Sequence, residues 1–177
     1  MLRRCYVRLL MVGFELIVVL TTSEVNLMAE WKLRAAVAQD LATSEKLLES
    51  CELSADGARD QFGEGYVIAE RQGELIGLAG VEIHGRHGLL RSVAVAPVLR
   101  GAGLGAELVD DRIRWARQQG IESIYLLTTM AAEYFARHGF EVVSRDDAPP
   151  EIRASKEFSE MCPSTAVFMK LKRGGVR

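Results

Sequence analysis

Cysteine is scarce in this chain: three among 177 residues, at Cys5, Cys51 and Cys162. Their odd number and wide separation argue against a disulfide framework and a clustered metal site, and they fit a reducing, cytoplasmic compartment. An excess of either charge is also missing. With 22 Lys and Arg against 24 Asp and Glu the net charge is −2, so there is no global basic field and nucleic acid is not an expected partner. The N-terminal apolar stretch from Leu9 to Leu20 is shorter than a bilayer span and contains Glu15, so neither a transmembrane helix nor a membrane partner is expected. Arg3, Arg4 and Arg8 before it would suit a signal peptide, but no A-x-A-like cleavage site follows. What is present, 49% hydrophobic and 26% charged residues, is the composition of one globular domain with one core.

The organising stretch runs from Leu89 to Gly120. A short apolar run rich in valine, Leu89-Leu90-Arg91-Ser92-Val93-Ala94-Val95, is bounded by Gly88 and Pro97 and predicts a strand. Arg100-Gly101-Ala102-Gly103-Leu104-Gly105 follows. Leu104, Leu108, Val109, Ile113 and Ala116 then recur at helical spacing, with Glu107, Asp110, Asp111, Arg114 and Arg117 opposite and Gly120 as a stop. Strand, glycine loop and helix in this order present bare backbone N–H groups at the positive end of a helix, which suits a phosphate or pyrophosphate.

Spacing separates the pyrophosphate readings. A Walker loop needs Lys followed by Ser or Thr, and Ala106-Glu107 follows Gly105 here. A dinucleotide fingerprint on Gly101, Gly103 and Ala106 needs the strand to run almost directly into the first glycine, but five residues separate Val95 from Gly101. It also needs an acidic residue at the end of the next strand, which reads Leu127-Thr128-Thr129. A glycine turn without a ligand would manage with fewer glycines, each of which costs entropy. Arg100-x-x-Gly103-x-Gly105 after Val93-Ala94-Val95 resembles the acetyl-coenzyme A loop of the GNAT N-acetyltransferases. The resemblance implies that Val93 and Val95 meet the pantetheine arm, and that Arg100, Gly101, Ala102, Gly103, Leu104 and Gly105 hold the pyrophosphate of acetyl-CoA.

The remaining chain fits that resemblance from Met28 to about Lys172. Residues 1–27 are expected to be an N-terminal extension outside the fold, and 28–177 the GNAT domain. Trp31–Arg34 reads as a strand, Asp40 as the N-cap of a helix to Cys51, and 54–62 as a second helix. Tyr66–Glu70 and Leu75–Ile83 flank a Gly-containing hairpin signal, and with Leu89–Val95 form a meander. Ile121–Thr128, a short helix closed by Gly139, Phe140–Ser144, a helix over 151–161 and a last strand Thr165–Leu171 complete the reading. The expected fold is α/β (α+β): a central, mixed but mostly antiparallel sheet of six to seven strands, flanked by four to five helices. Its fourth and fifth strands splay to hold the coenzyme.

The candidate residues carry the chemistry unequally. Glu82 and His84, two apart on a strand, share a face, and Glu82 is the candidate base for an attacking ammonium; a solvated strand end is the competing reading. Arg91, which needs an anionic partner or a route to solvent, is with Ser92 and Arg153 a candidate for binding a carboxylated acceptor. The family commonly places a tyrosine four residues before the Gly-Phe at 139–140, to protonate the departing thiolate. Phe135 stands there, so the adjacent Tyr134, about 100° around the helix, is the candidate. No metal or covalent intermediate is required, and Cys51 and Cys162 read as packed thiols.

Several segments, among them Leu89–Val95, Tyr125–Thr129 and Ile152–Ala166, look like the small GNAT proteins encoded with arsenic-resistance genes. The Leu-Thr-Thr and Gly-Phe pieces also resemble amino-acid N-acetyltransferases such as those acting on glutamate. Both imply direct acetyl transfer to the amine of a small molecule; an acetyl-CoA-binding sensor without catalysis is the alternative. Several small enzymes of this superfamily dimerise, so a homodimer is compatible with the resemblance, although no stripe identifies an interface.

Overall fold

The computed structural model describes residues 9–12, 15–18 and 31–172. The chain divides into two units, residues 1–31 and 32–177. In the first, β1 (Leu9–Val12) and β2 (Glu15–Val18) pair as an antiparallel hairpin. Most of the stretch read as an N-terminal extension lies outside the described residues. No described helix is long and apolar enough to cross a membrane.

The second unit is built on β3 (Lys32–Ala35), β4 (Tyr66–Arg71), β5 (Glu74–His84), β6 (His87–Val95), β7 (Ser123–Thr128), β8 (Phe140–Val142) and β9 (Val167–Leu171). They form one seven-stranded sheet in the order β3-β4-β5-β6-β7-β9-β8. Every adjacent pair is antiparallel except β6 with β7. That exception follows from the connection: the helix after the glycine loop returns the chain so that β7 runs alongside β6, as a crossover requires.

Among the described residues, five α-helices accompany the sheet: α1 (Leu41–Ser50), α2 (Asp56–Asp60), α3 (Leu104–Gln118), α4 (Ala132–Arg137) and α5 (Pro150–Arg153). Of the predicted stripe of α3, Val109, Ile113 and Ala116 are buried against Val81, Leu90, Ile124 and Leu126, and Leu104 and Leu108 are buried as well. Leu47 and Leu48 of α1 and Ala58 of α2 pack with Tyr66, Ile68, Leu78 and Ala94. Ile152 of α5 joins Leu89, Tyr125 and Phe168. Neighbours in the chain such as Leu89 and Leu90 thus fall into different clusters, as strand alternation requires.

Several expectations are corrected. Asp40 precedes α1 but makes no side-chain cap to it. Its carboxylate instead accepts the Val37 N–H at 2.9 Å and clamps the Arg34 guanidinium at 2.6 and 2.8 Å. The helix expected over 54–62 shrinks to Asp56–Asp60, after Ser54 Oγ accepts the Asp56 N–H in a turn at 3.3 Å. The helix expected over 151–161 breaks in two: α5, then a π-helical turn at Glu157–Met161. The break lies at Ser155, whose buried hydroxyl donates to Ile152 O at 2.7 Å and accepts the Phe158 N–H at 3.3 Å, a local bonding pattern that competes with continuous helix. On α3, Arg112 belongs with the buried residues: 5% exposed, it donates to Glu64 O at 3.1 Å and lies over the Trp115 ring.

Candidate active site

The parallel pairing of β6 with β7 stops at Leu89 and Tyr125. Beyond it β7 pairs with β9 on its other side, so the two strands diverge and the β7-facing backbone of β6 beyond Leu89 loses its ladder partner. A backbone left this way must find other donors and acceptors. A cavity of about 730 Å³ opens there, walled by β6 from Leu90 to Val95, by β7 from Leu126 to Thr128, and by the glycine loop.

A bulge turns the site. Gly80 pairs with Arg91 and Leu78 with Ala94, so two residues of β6, Ser92 and Val93, oppose Ala79 alone. Ser92 takes φ 54°, a left-handed value that a non-glycine residue adopts at a cost. The consequence is a reversal of facing. Val93 packs with the α3 cluster, whereas Arg91 lies under α2, where a Cβ on Gly57 would collide with its guanidinium. Simple alternation along 91, 93 and 95 would have put all three on one side.

The glycine loop follows β6 through a short 3₁₀ turn at Pro97–Leu99. Gly101 and Gly103 have φ of 85° and 93°, conformations open to glycine, and Gly103 is the N-cap of α3. The bonds of α3 begin with Ala106 and Glu107 donating to Gly103 O. The N–H groups of Gly103, Leu104 and Gly105 therefore have no partner inside the helix. Arg100, Gly101, Gly103 and Gly105 line the cavity, as do Val93 and Val95; Leu104 turns inward into the core and Ala102 is exposed.

Tyr134 stands at the loop end of this cavity. A Cβ on Gly105 would lie 2.7 Å from its hydroxyl, and that hydroxyl is buried without a hydrogen-bond partner. Burial, joined by the Asp110 charge, pushes its pKa above the ordinary value, so it stays a donor at neutral pH. Phe135 also borders the cavity but is rooted in the core, edge-on to Phe140. An unpartnered donor, bare helix-start amides and glycines leaving open space fit the pyrophosphate and pantetheine of coenzyme A.

Arg91 reaches the cavity from below with its charge already engaged. Its Nη1 pairs with Glu82 Oε1, its Nη2 lies 2.9 Å from Glu157 Oε2, and both it and Glu82 are buried. The solvated strand-end reading of Glu82 is corrected. His84 Nε2 holds its other oxygen at 3.2 Å. Burial alone would raise the Glu82 carboxyl, but the His84 hydrogen bond and the Arg91 charge outweigh it and hold the pKa below the ordinary value. The cavity wall is Arg91, not Glu82. Arg153 is spent elsewhere: it donates to the carbonyls of Ala148, at 2.9 Å, and Asp146, bracing the 145–148 turn away from the cavity lining. Ser92 borders the cavity beside Arg91, at 3.4 Å from its Nε.

Two contributors were missed in the sequence. Glu157 lines the cavity from the π-helical turn, and Gly57 admits the Arg91 guanidinium. Glu157 falls in the Ile152–Ala166 segment that carries the resemblance but was assigned no role there, and for Gly57 a Gly inside a short polar helix was the available signal.

A sheet opened between two parallel strands, with a glycine loop and helix start at the opening, is the architecture of the acetyltransferase (GNAT) family, and this chain belongs to it: the family model matches residues 26–140. Among curated proteins, an amino-acid acetyltransferase of Mycobacterium tuberculosis is 36% identical over 77 residues, 44% of this chain and 41% of the relative. An amino-acid acetyltransferase of Mannheimia succiniciproducens is 29% identical over 129 residues, 68% of this chain and 29% of the relative. The chain thus spans less than half the length of these relatives. Among solved structures, the N-acetylglutamate synthase of Neisseria gonorrhoeae, complexed with coenzyme A and N-acetyl-glutamate, superposes with a TM-score of 0.70 at 25% identity, covering 82% of this chain and 36% of that one.

Proposed function

We propose that this chain is an acetyl-CoA-dependent N-acetyltransferase whose acceptor is the amine of an amino acid, with residues 28–177 as the working domain. The observation that carries the reading is the single cavity that joins the splayed strand, the glycine loop and a buried charged cluster. The acceptor class rests on the amino-acid acetyltransferase relatives.

In this reading the amides of residues 103–105 and Arg100 bind the pyrophosphate, and the edge of β6 that lacks a ladder partner, at Val93 and Val95, takes the pantetheine as an added strand, in place of the Arg100 Nε and Cys51 thiol that Val95 O accepts at 3.4 and 3.5 Å. The Tyr134 hydroxyl supplies a further donor. Acetyl-CoA brings an activated thioester, so the protein's task is to align it with the amine and to stabilise the developing oxyanion with a strand N–H. The reaction proceeds by direct transfer.

The test is incubation of the chain with acetyl-CoA and a panel of amino acids, polyamines and amino-acid-like organoarsenicals, with products read by mass spectrometry. Acetylation of an α-amino acid is the expected result. Acetylation of an arsenical alone would favour the arsenic-linked reading, which rests on sequence likeness only. Coenzyme binding without any product would favour a sensor.

A further inference from the structure

Glu157 shares its Arg91 partner with a second carboxylate. Two carboxylates, Glu82 and Glu157, flank the one guanidinium of Arg91. A buried charge needs compensation, and Glu82, paired with Arg91 through side chains each 5% exposed, takes the better share. His84 touches Glu82 rather than Glu157. Arg145, a further cation near this turn, donates to the Phe158 carbonyl at 3.0 Å and lies 4.2 Å from the Phe158 ring centre.

Glu157 Oε2 is consequently a buried oxygen without a hydrogen-bond partner: Arg91 Nη2 is close enough to attract it but is not aligned as a donor. Its Oε1 accepts the Cys162 thiol, a weak donor, at 3.3 Å. The carboxylate borders the same cavity as the glycine loop, between apolar walls that include Leu90 and Leu126. The chemistry complementary to a surplus negative charge in such a wall is an ammonium group.

Resting on the transferase reading above, we propose that the Glu157 carboxylate binds the ammonium of the acceptor and takes its proton. The acceptor R–NH₃⁺ gives one proton to the carboxylate. The N–C bond then forms as the donor's C–S bond breaks, and the second amine proton leaves with the thiol. Arg91, flanked by two carboxylates, is a positioning residue that orients Glu157, and not the ligand of an acceptor carboxylate.

The experiment is saturation-transfer NMR on the full chain with coenzyme A and n-propylammonium chloride, with n-propanol as the uncharged control. Propyl signals are expected with the native protein and with Glu122→Gln, a surface change, and are expected to fall at least about fivefold in Glu157→Gln while the coenzyme A Kd stays unchanged. With the acceptor found in the panel, kcat/KM of Glu157→Gln should fall about 10²- to 10⁴-fold, the range for loss of a base. Equal propyl signals in Glu157→Gln, or none in the native protein, overturn the amine site. Native turnover by Glu157→Gln overturns the proton step and leaves the transferase reading intact. An amine signal with no product from any acceptor overturns the transferase reading, and the proton step with it, while the amine site stands.

Discussion

Replacing Gly57 by alanine separates a local from a tertiary view of this protein. In a helix, Gly→Ala ordinarily gains about 1 kcal/mol, because glycine loses more backbone freedom on folding. At Gly57 an added Cβ would fall 2.5 Å from Cζ of Arg91 and inside contact distance of both terminal nitrogens. That guanidinium is pinned between Glu82 and Glu157 and is buried, so it has to leave its pair. Breaking a buried pair costs about 3–5 kcal/mol, which leaves a net loss of about 2–4 kcal/mol after the helix gain. For a chain of this size that is a Tm lower by about 4–16 °C. Urea and thermal unfolding of the full chain, followed by far-UV circular dichroism, measure it. A Gly57→Ala protein as stable as the parent, or more stable, would refute the placement of Arg91 beneath α2.

Three other outcomes follow from the same cluster and from the loop. Because the folded Glu82 pKa lies below its ordinary 4.5, its contribution is present above that value and lost as pH falls through the folded one; Glu82→Gln should flatten the acid limb of a stability-against-pH curve. Cys162, pushed up to about 12 by burial and then by Glu157, should alkylate at pH 8 on the order of 10³-fold more slowly than a free thiol, and faster in Glu157→Gln, as peptide mapping would show. Gly103→Val places a β-branched residue at φ 93°, where an added Cβ meets nothing within 4 Å. Calorimetry should therefore find coenzyme A affinity reduced at least about tenfold, because the strain of roughly 1–3 kcal/mol falls on the loop that binds.

The glycine loop and α3 were legible because their signals are local. Positive φ at Gly101 and Gly103 is a property of single residues, and the stripe of α3 repeats within one helix. The meander of β4, β5 and β6 was equally open to reading, since its hairpins are set by short Gly-containing turns. The acceptor end was not. Arg153, an attractive ligand for a carboxylate in the sequence, braces two backbone carbonyls instead, and Glu157 was hidden in a segment read as unbroken helix until Ser155 diverted its bonding.

What the sequence alone determined is therefore the order of elements along the chain, the meander of β4, β5 and β6, the glycine loop before α3 and the family to which these belong, because each depends on residues close together in the chain. The tertiary structure decided which side chains share the cavity. The bulge at Ser92 and Val93 sends Arg91 and the two valines to opposite faces of one strand. Packing of α2 and the π-helical turn then brings Gly57, Glu82, Arg91 and Glu157 together. Glu82, Arg91 and Glu157 interact only in that assembly, since the interaction of buried charges depends on distance in space and not on separation along the chain.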